Sequence, residues 1–219
     1  MIVKRSLLLL LLAFFSARSW GQTDFDRQFH LQNLENQADE ISATFNLNFN
    51  MIILDISQKA DLSFIGNIST MGDHKNYFLA STYLKESNYN GQQRPGCIIF
   101  INYNNHQLLK NHQLLYKNIL DEQQARSFTY YYLMAHEMGH CIAQNSLRLP
   151  KNFDEKYADA IAAYFITHSV YRSLFSTWLQ NLQSNKPPHN TFEYVRDIYA
   201  SNSDISSLSK LLERIQTKP

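Results

Sequence analysis

Apolar residues at Leu31, Leu34, Ala38, Ile41 and Phe45 recur at spacings of three and four, which predicts an amphipathic helix between Phe25 and Phe45 with one face for packing. Met51 to Ile56 is a short Ile-rich run and reads as a buried strand. After breaks at Gly66 and Gly72, a second strand is expected near Asn76 to Leu84. Asn88 to Gly96, which contains Asn90-Gly91 and Pro95-Gly96, reads as a loop, and Cys97 to Tyr103 follows as the clearest strand of the chain. The stretch Asn105-His106-Gln107-Leu108-Leu109 is echoed by Asn111-His112-Gln113-Leu114-Leu115, too short and too local a repeat to set an architecture. From Asp121 the pattern is helical almost to the end, interrupted at Asn145 to Asn152, at Ser184 to Asn190 and at Ser201 to Asp204. The expected class is α+β, mostly helical, with a small sheet ahead of the helical half.

The longest unbroken apolar run, Leu7 to Phe15, follows Lys4 and Arg5 and precedes a small and polar stretch from Ser16. This order of zones predicts a signal peptide over residues 1–21, with cleavage before Gln22 after the small residues of Ser19-Trp20-Gly21. The run is well short of the roughly 20 residues of a spanning helix, so no stable membrane span is expected after cleavage. The first residue after the expected cleavage point is Gln22 and not Cys, so no lipid anchor is expected, and the expected location is secreted or periplasmic. Residues 22–219 carry no Gly/Ser linker and no shift of composition, so they are expected to form one domain. The formal net charge of +1 for the whole chain becomes about −2 once the leader is removed, which gives no electrostatic reason to bind nucleic acid. At 13% aromatic and 18% charged residues the composition is that of a folded chain.

Cys97 and Cys141 are the only cysteines, and in an exported chain they are expected to pair. Closing that loop is worth about 3–4.5 kcal/mol in the chain-entropy treatment. Two separate buried thiols are the alternative.

Within the helix that begins near Glu122 stands His136-Glu137-Met138-Gly139-His140, the pattern H-E-x-x-H. Four residues are close to one turn, so both imidazoles share a face and can reach one metal ion, while Glu137 lies off to the side where its carboxylate can address a water. The flanks, Leu133-Met134-Ala135 and Cys141-Ile142-Ala143, are uncharged, as suits a helix buried beneath such a site. Gly139 weakens the helix interior by about 1 kcal/mol relative to Ala, so its presence suggests that another segment approaches closely there. A catalytic zinc site takes three protein ligands and an open position, so a third ligand is needed. Glu155 and Asp159 stand four apart in Glu155-Lys156-Tyr157-Ala158-Asp159 and share a helix face; Glu155 can then ligate while Asp159 meets the outer nitrogen of a ligating His. Asp154 and Asp159 are neighbouring alternatives for the ligand.

H-E-x-x-H followed by E-x-x-A-D resembles the gluzincin zinc metallopeptidases, a clan that includes membrane-embedded proteases and small bacterial metallopeptidases. The resemblance spans about Tyr132 to Phe165 and implies a zincin-like core; the first 100 residues of the mature chain carry no family signature. It implies zinc held by His136, His140 and Glu155, with Glu137 as general base and Asp159 orienting a ligating His. It also implies a strand beside the cleft whose backbone pairs with extended substrate, for which Cys97 to Tyr103 is the expected segment. A Cys97–Cys141 bridge would tie that strand to the residue after His140.

The function expected from the resemblance is an exported zinc metallopeptidase acting on a peptide or protein substrate, in which a zinc-activated water attacks the amide and Glu137 serves as general base. The oxyanion needs a second electrophile, for which His168, Tyr164, His189 and Tyr194 are available, with His168 preferred because it follows Asp159 on the same expected helix. A non-catalytic zinc-containing binding protein is the alternative, and an intact Glu137 favours the enzyme. Tyr130-Tyr131-Tyr132 could line a cleft but reads more simply as core, as do Phe49, Phe64, Phe78 and Trp178. Asn67-Ile68-Ser69 is a glycosylation acceptor only in a eukaryotic secretory pathway.

Overall fold

A computed structural model describes residues 26–57, 78–89, 92–147, 154–183, 190–200 and 205–217. The expected leader, Phe64, the Asn67 acceptor and His189 lie outside these residues.

Helix α1 spans residues 26–44 and turns the expected stripe inward, with Leu34, Ala38 and Ile41 buried. At its end Phe45 packs on Tyr164 and Phe165, ring centroids 5.5 and 4.5 Å away. The chain reverses at Asn46, whose φ of 49° lies in the left-handed region that Asn tolerates better than most residues. Strands β1 (Asn50–Asp55), β2 (Leu79–Tyr89) and β3 (Gln92–Ile101) then form one mixed sheet in the order β1-β3-β2. β1 runs parallel to β3, and β2 and β3 form an antiparallel hairpin.

The clearest strand of the sequence occupies the centre of this sheet. Cys97 to Ile101 pairs with Met51 to Asp55 on one side and with Leu79 to Tyr83 on the other, and all five residues are buried. A continuous apolar run is what burial on both faces selects. The expectation that Cys97 to Tyr103 pairs with substrate is therefore corrected: its backbone is already bonded on both sides. Among the described residues the two outer strands, β1 and β2, each have an edge unpaired on the side away from β3. β3 also starts earlier than expected, at Gln92 rather than Cys97. Pro95 is accommodated because the register jumps from Leu84↔Gly96 to Ser87↔Arg94, so the residue without an N–H sits at the irregularity. The strand stops at Ile101 because the Asn102 side chain accepts from the Asn104 N–H at 3.2 Å and opens a short 3-10 turn.

Helices α2 (His106–Leu114), α3 (Glu122–Leu147), α4 (Asp154–Thr167), α5 (Phe175–Gln183), α6 (Phe192–Ala200) and α7 (Leu208–Thr217) complete an α+β fold. α3 starts from a reciprocal cap: Gln124 N–H donates to Asp121 Oδ1 at 2.8 Å, and Asp121 N–H to Gln124 Oε1 at 3.4 Å. Tyr130, Tyr131 and Tyr132 are all buried, as the core reading requires. Tyr131 donates to the Phe165 carbonyl at 3.1 Å, and burial pushes its phenol up to about 12. None of the helices among the described residues is long and apolar enough to cross a membrane.

α4 ends sooner than expected, at Thr167. There the Thr167 hydroxyl donates back to the Ala163 and Tyr164 carbonyls at 2.9 and 3.0 Å, and the His168 ring bonds the Tyr164 carbonyl at 2.9 Å. Side chains that take up backbone acceptors in this way compete with the next helical turn.

Candidate metal centre

The site is built where α3 crosses the first turns of α4. His136 and His140, one turn apart, bring their Nε2 atoms to 3.1 Å from each other with the rings nearly perpendicular at 88°. Glu155, at the start of α4, sets Oε2 3.4 Å from His136 Nε2 and Oε1 3.8 Å from His140 Nε2. An ion bound tetrahedrally with bonds of about 2.0–2.1 Å keeps its donors roughly 3.3 Å apart, and the three separations, the two to Glu155 ending on different carboxylate oxygens, bracket that spacing. Among the described residues these three form the one group of His, Cys, Asp and Glu side chains close enough to share an ion. Two imidazoles and one carboxylate are also the donor chemistry of a catalytic zinc site.

The support behind the triangle orients it. His136 Nδ1 lies 2.7 Å from Asp159 Oδ1, so Nδ1–H donates there and Nε2 is the nitrogen turned toward the other ligand atoms. Asp159 is buried, and its Oδ2 accepts from the Thr191 hydroxyl just ahead of α6. Both oxygens of this carboxylate are thus engaged, and the side chain cannot rotate without breaking a bond. Burial on its own would lower the His136 pKa. The charge and hydrogen bond of Asp159, the hydrogen bond of Glu155 and the charge of Glu137 outweigh it and hold the ring well above the usual imidazole value.

Gly139 explains how α4 comes so close. A Cβ at that position would stand 2.6 Å from the Ala158 carbonyl oxygen and 2.9 Å from its Cα. The approach inferred from Gly139 is therefore that of the α4 backbone, three residues beyond Glu155. On the other side, β2 covers α3: the Ser81 hydroxyl donates to the Glu137 carbonyl at 3.0 Å. The Glu137 side chain is only 7% exposed. Burial raises its carboxyl pKa, against the opposing pull of the His136 charge. Raised basicity beside the ligands suits a proton acceptor. Cys97 and Cys141 are joined as a disulfide with Cα atoms 5.7 Å apart, anchoring the central strand to the residue after His140.

His136, Glu137, His140, Glu155 and Asp159 are brought together; His168 is not. It lies exposed past the end of α4, its ring 4.1 Å from that of Tyr164. Thirteen residues of helical rise put it roughly 20 Å along α4 from Glu155. The correction has a physical cause, since residues sharing a long helix are separated along its axis even when they share a face. Tyr164 is buried near that same end. Tyr194 stacks edge-on against Tyr157 at 5.7 Å, with the Lys156 ammonium 4.6 Å from its ring.

Sequence reasoning missed Thr191 and Ser81. Thr191 carries a local signal as a residue ahead of a helix, but its reach to Asp159 spans 32 positions. His112, on α2, bonds the Tyr132 hydroxyl through Nδ1 at 2.5 Å. Burial and the nearby His136 lower its pKa. Comparison with known proteins returns no match to this chain among family models, curated proteins or solved structures.

Proposed function

We propose that this chain is an exported zinc-dependent metallopeptidase that hydrolyses peptide bonds in a peptide or protein substrate. The observation that carries the reading is the close grouping of His136, His140 and Glu155, backed by Asp159 on the outer nitrogen of His136 and flanked by the buried Glu137. A structural zinc site is closed by four protein ligands, whereas three leave a position for water. A purely structural ion also has no use for a buried carboxylate of raised basicity beside it. The Cys97–Cys141 bridge supports an oxidising compartment and so the export reading.

His136, His140 and Glu155 would hold the ion, which when bound supplies Lewis acidity and lowers the pKa of water to about 7. Glu137 takes the water proton and later delivers it to the leaving amine. Asp159, held by Thr191, keeps the His136 ring in one tautomer and one orientation throughout.

The test is the zinc content of the mature chain beside that of Glu155→Ala, followed by peptide cleavage by Glu137→Gln. About one zinc per chain, lost in the Glu155 variant, with cleavage abolished but zinc kept in the Glu137 variant, is the expected outcome. A wild-type chain that takes up no zinc from excess metal refutes the metal centre; full cleavage by Glu137→Gln refutes the base.

A further inference from the structure

The doubled Asn-His-Gln-Leu-Leu stretch forms α2 and its end, and it leaves apolar side chains in solvent. Leu109 and Tyr116, seven positions apart, are buried and mark the side that packs on the core. Leu108, Leu114 and Leu115 lie roughly 100–140° around the helix from Leu109. They are 39%, 54% and 49% exposed. Ile119, in the turn that follows, is 53% exposed, and Phe29 on α1 is 41% exposed. Among the described residues the one other large apolar side chain so exposed is Val170, past the end of α4. A cleft of about 740 Å³ between α2 and the starts of α1 and α3 joins the two helices of the patch: Phe29, Leu114, Lys110 and Lys117 all stand on its walls. Scattered exposed leucines need no explanation, but a helix that is apolar toward solvent as well as toward the core does.

The charges of this surface indicate what covers it. From Gln92 to Leu120 the chain carries no Asp or Glu, and the charged side chains of α2 and the turn after it are Lys110 and Lys117, both exposed. The carboxylates on the cleft come from other elements. Asp121 accepts from the Gln124 N–H at 2.8 Å, Glu122 pairs with Arg126 at 2.8 Å, and Asp26 stands on the α1 wall. In a two-fold dimer the patch would meet its own copy and bring lysines toward lysines. An anionic bilayer instead offers opposite charge to the ammonium groups and hydrocarbon to the leucines. Lysine stems can lie along the apolar surface while their heads stay among the phosphates.

We propose that α2 and the turn to Leu120 form the surface by which this protein docks on a bilayer carrying anionic phospholipid. Leu108, Leu114, Leu115 and Ile119 enter the interface, and Lys110 and Lys117 meet the headgroup phosphates. Binding of this kind is peripheral and reversible, and it weakens with ionic strength because the lysine contribution is screened. No residue of the patch is a proposed metal ligand or base, so docking stands or falls apart from the peptidase reading.

The test is co-sedimentation of the mature chain with extruded vesicles of phosphatidylcholine alone, or mixed equally with phosphatidylglycerol, at low and at physiological salt. Wild type is expected to sediment with the anionic vesicles at low salt, to be released as salt rises, and to stay in solution with phosphatidylcholine. The Lys110→Gln, Lys117→Gln double variant is expected to partition onto anionic vesicles about 10–30-fold more weakly, which is about fivefold for each ammonium. The Leu114→Ser, Leu115→Ser double variant is expected to lose at least about tenfold. Val170→Ser, off the patch, should bind as wild type does. Melting temperatures show that each variant is folded, and on the unmodified chain hydrogen exchange is expected to slow across residues 106–120 when anionic vesicles are added. No sedimentation of wild type with anionic vesicles at low salt overturns the proposal, as does equal binding to phosphatidylcholine, undiminished binding by the leucine variant, or protection that falls elsewhere on the protein. Light scattering that gives a dimer for wild type and a monomer for the leucine variant assigns the face to a second copy and overturns it as well.

Discussion

Replacing Gly139 with alanine tests whether helix packing sets the metal affinity. The added Cβ would lie 2.6 Å from the Ala158 carbonyl oxygen, where ordinary contact begins at 3.4 Å, and the obstacle is backbone rather than a movable side chain. α3 and α4 must therefore separate by roughly 0.5–0.8 Å at this crossing, whereas metal–ligand distances tolerate about 0.2 Å. Glu155 is less than one turn from Ala158 and moves with it. Overpacking of this kind costs about 1–3 kcal/mol, and the better helix propensity of Ala returns about 1 kcal/mol. The expected result is a metal-free protein that melts a few degrees lower, at about 2–4 °C per kcal/mol for a domain of this size. Zinc affinity is expected to fall at least about tenfold, or 1.4 kcal/mol. Calorimetric zinc titration and thermal melts of the stripped protein measure both. A Gly139→Ala protein that binds zinc within about twofold of wild type and melts no lower would refute the coupling between this crossing and the ligand triangle.

Three further outcomes follow from the same geometry. Asp159→Asn is expected to weaken zinc binding by about 10–100-fold while the fold persists, measured by competition with a chromogenic chelator; unchanged affinity would mean that Asp159 does not orient His136. The Cys97→Ser, Cys141→Ser double variant is expected to lose about 3–4.5 kcal/mol of stability in denaturant titration, and a loss below about 1 kcal/mol would contradict the loop-closure reading. In the metal-free protein, the raised His136 pKa contributes stability that is fully present below the unfolded value of about 6.5 and is lost as pH rises through the folded value, so the melting temperature should decline across that interval. Zinc competes with the same proton, so its affinity should rise with pH over that interval; affinity independent of pH would rule out His136 as a ligand.

Much of the site was legible because its spacing is local. Four residues separate His136 from His140 and Glu155 from Asp159, and helical geometry turns that spacing into a shared face without knowledge of anything else. Gly139 was informative for a related reason: a weak helix former inside a long helix marks a place where a side chain does not fit. The pairing of Cys97 with Cys141 followed from there being no other partner. The rank of β3 in the sheet was harder to read, because an apolar run marks burial but does not say which strands flank it. The end of α4 was hidden in the side chains of Thr167 and His168, which turn back on the helix instead of extending it. Thr191 and Ser81 reach the site from other elements, and no local periodicity carries such long-range contacts.

The disulfide also divides the candidate metal centre by connectivity. The bridge closes a covalent ring that contains His112, His136 and His140, while Glu155 and Asp159 lie downstream of it. The imidazoles are thus tethered to the central strand even when packing loosens, whereas the carboxylates belong to an arm joined to the ring at one end only. Reduction of the bridge would therefore be felt first in the placement of the histidines rather than of the carboxylates.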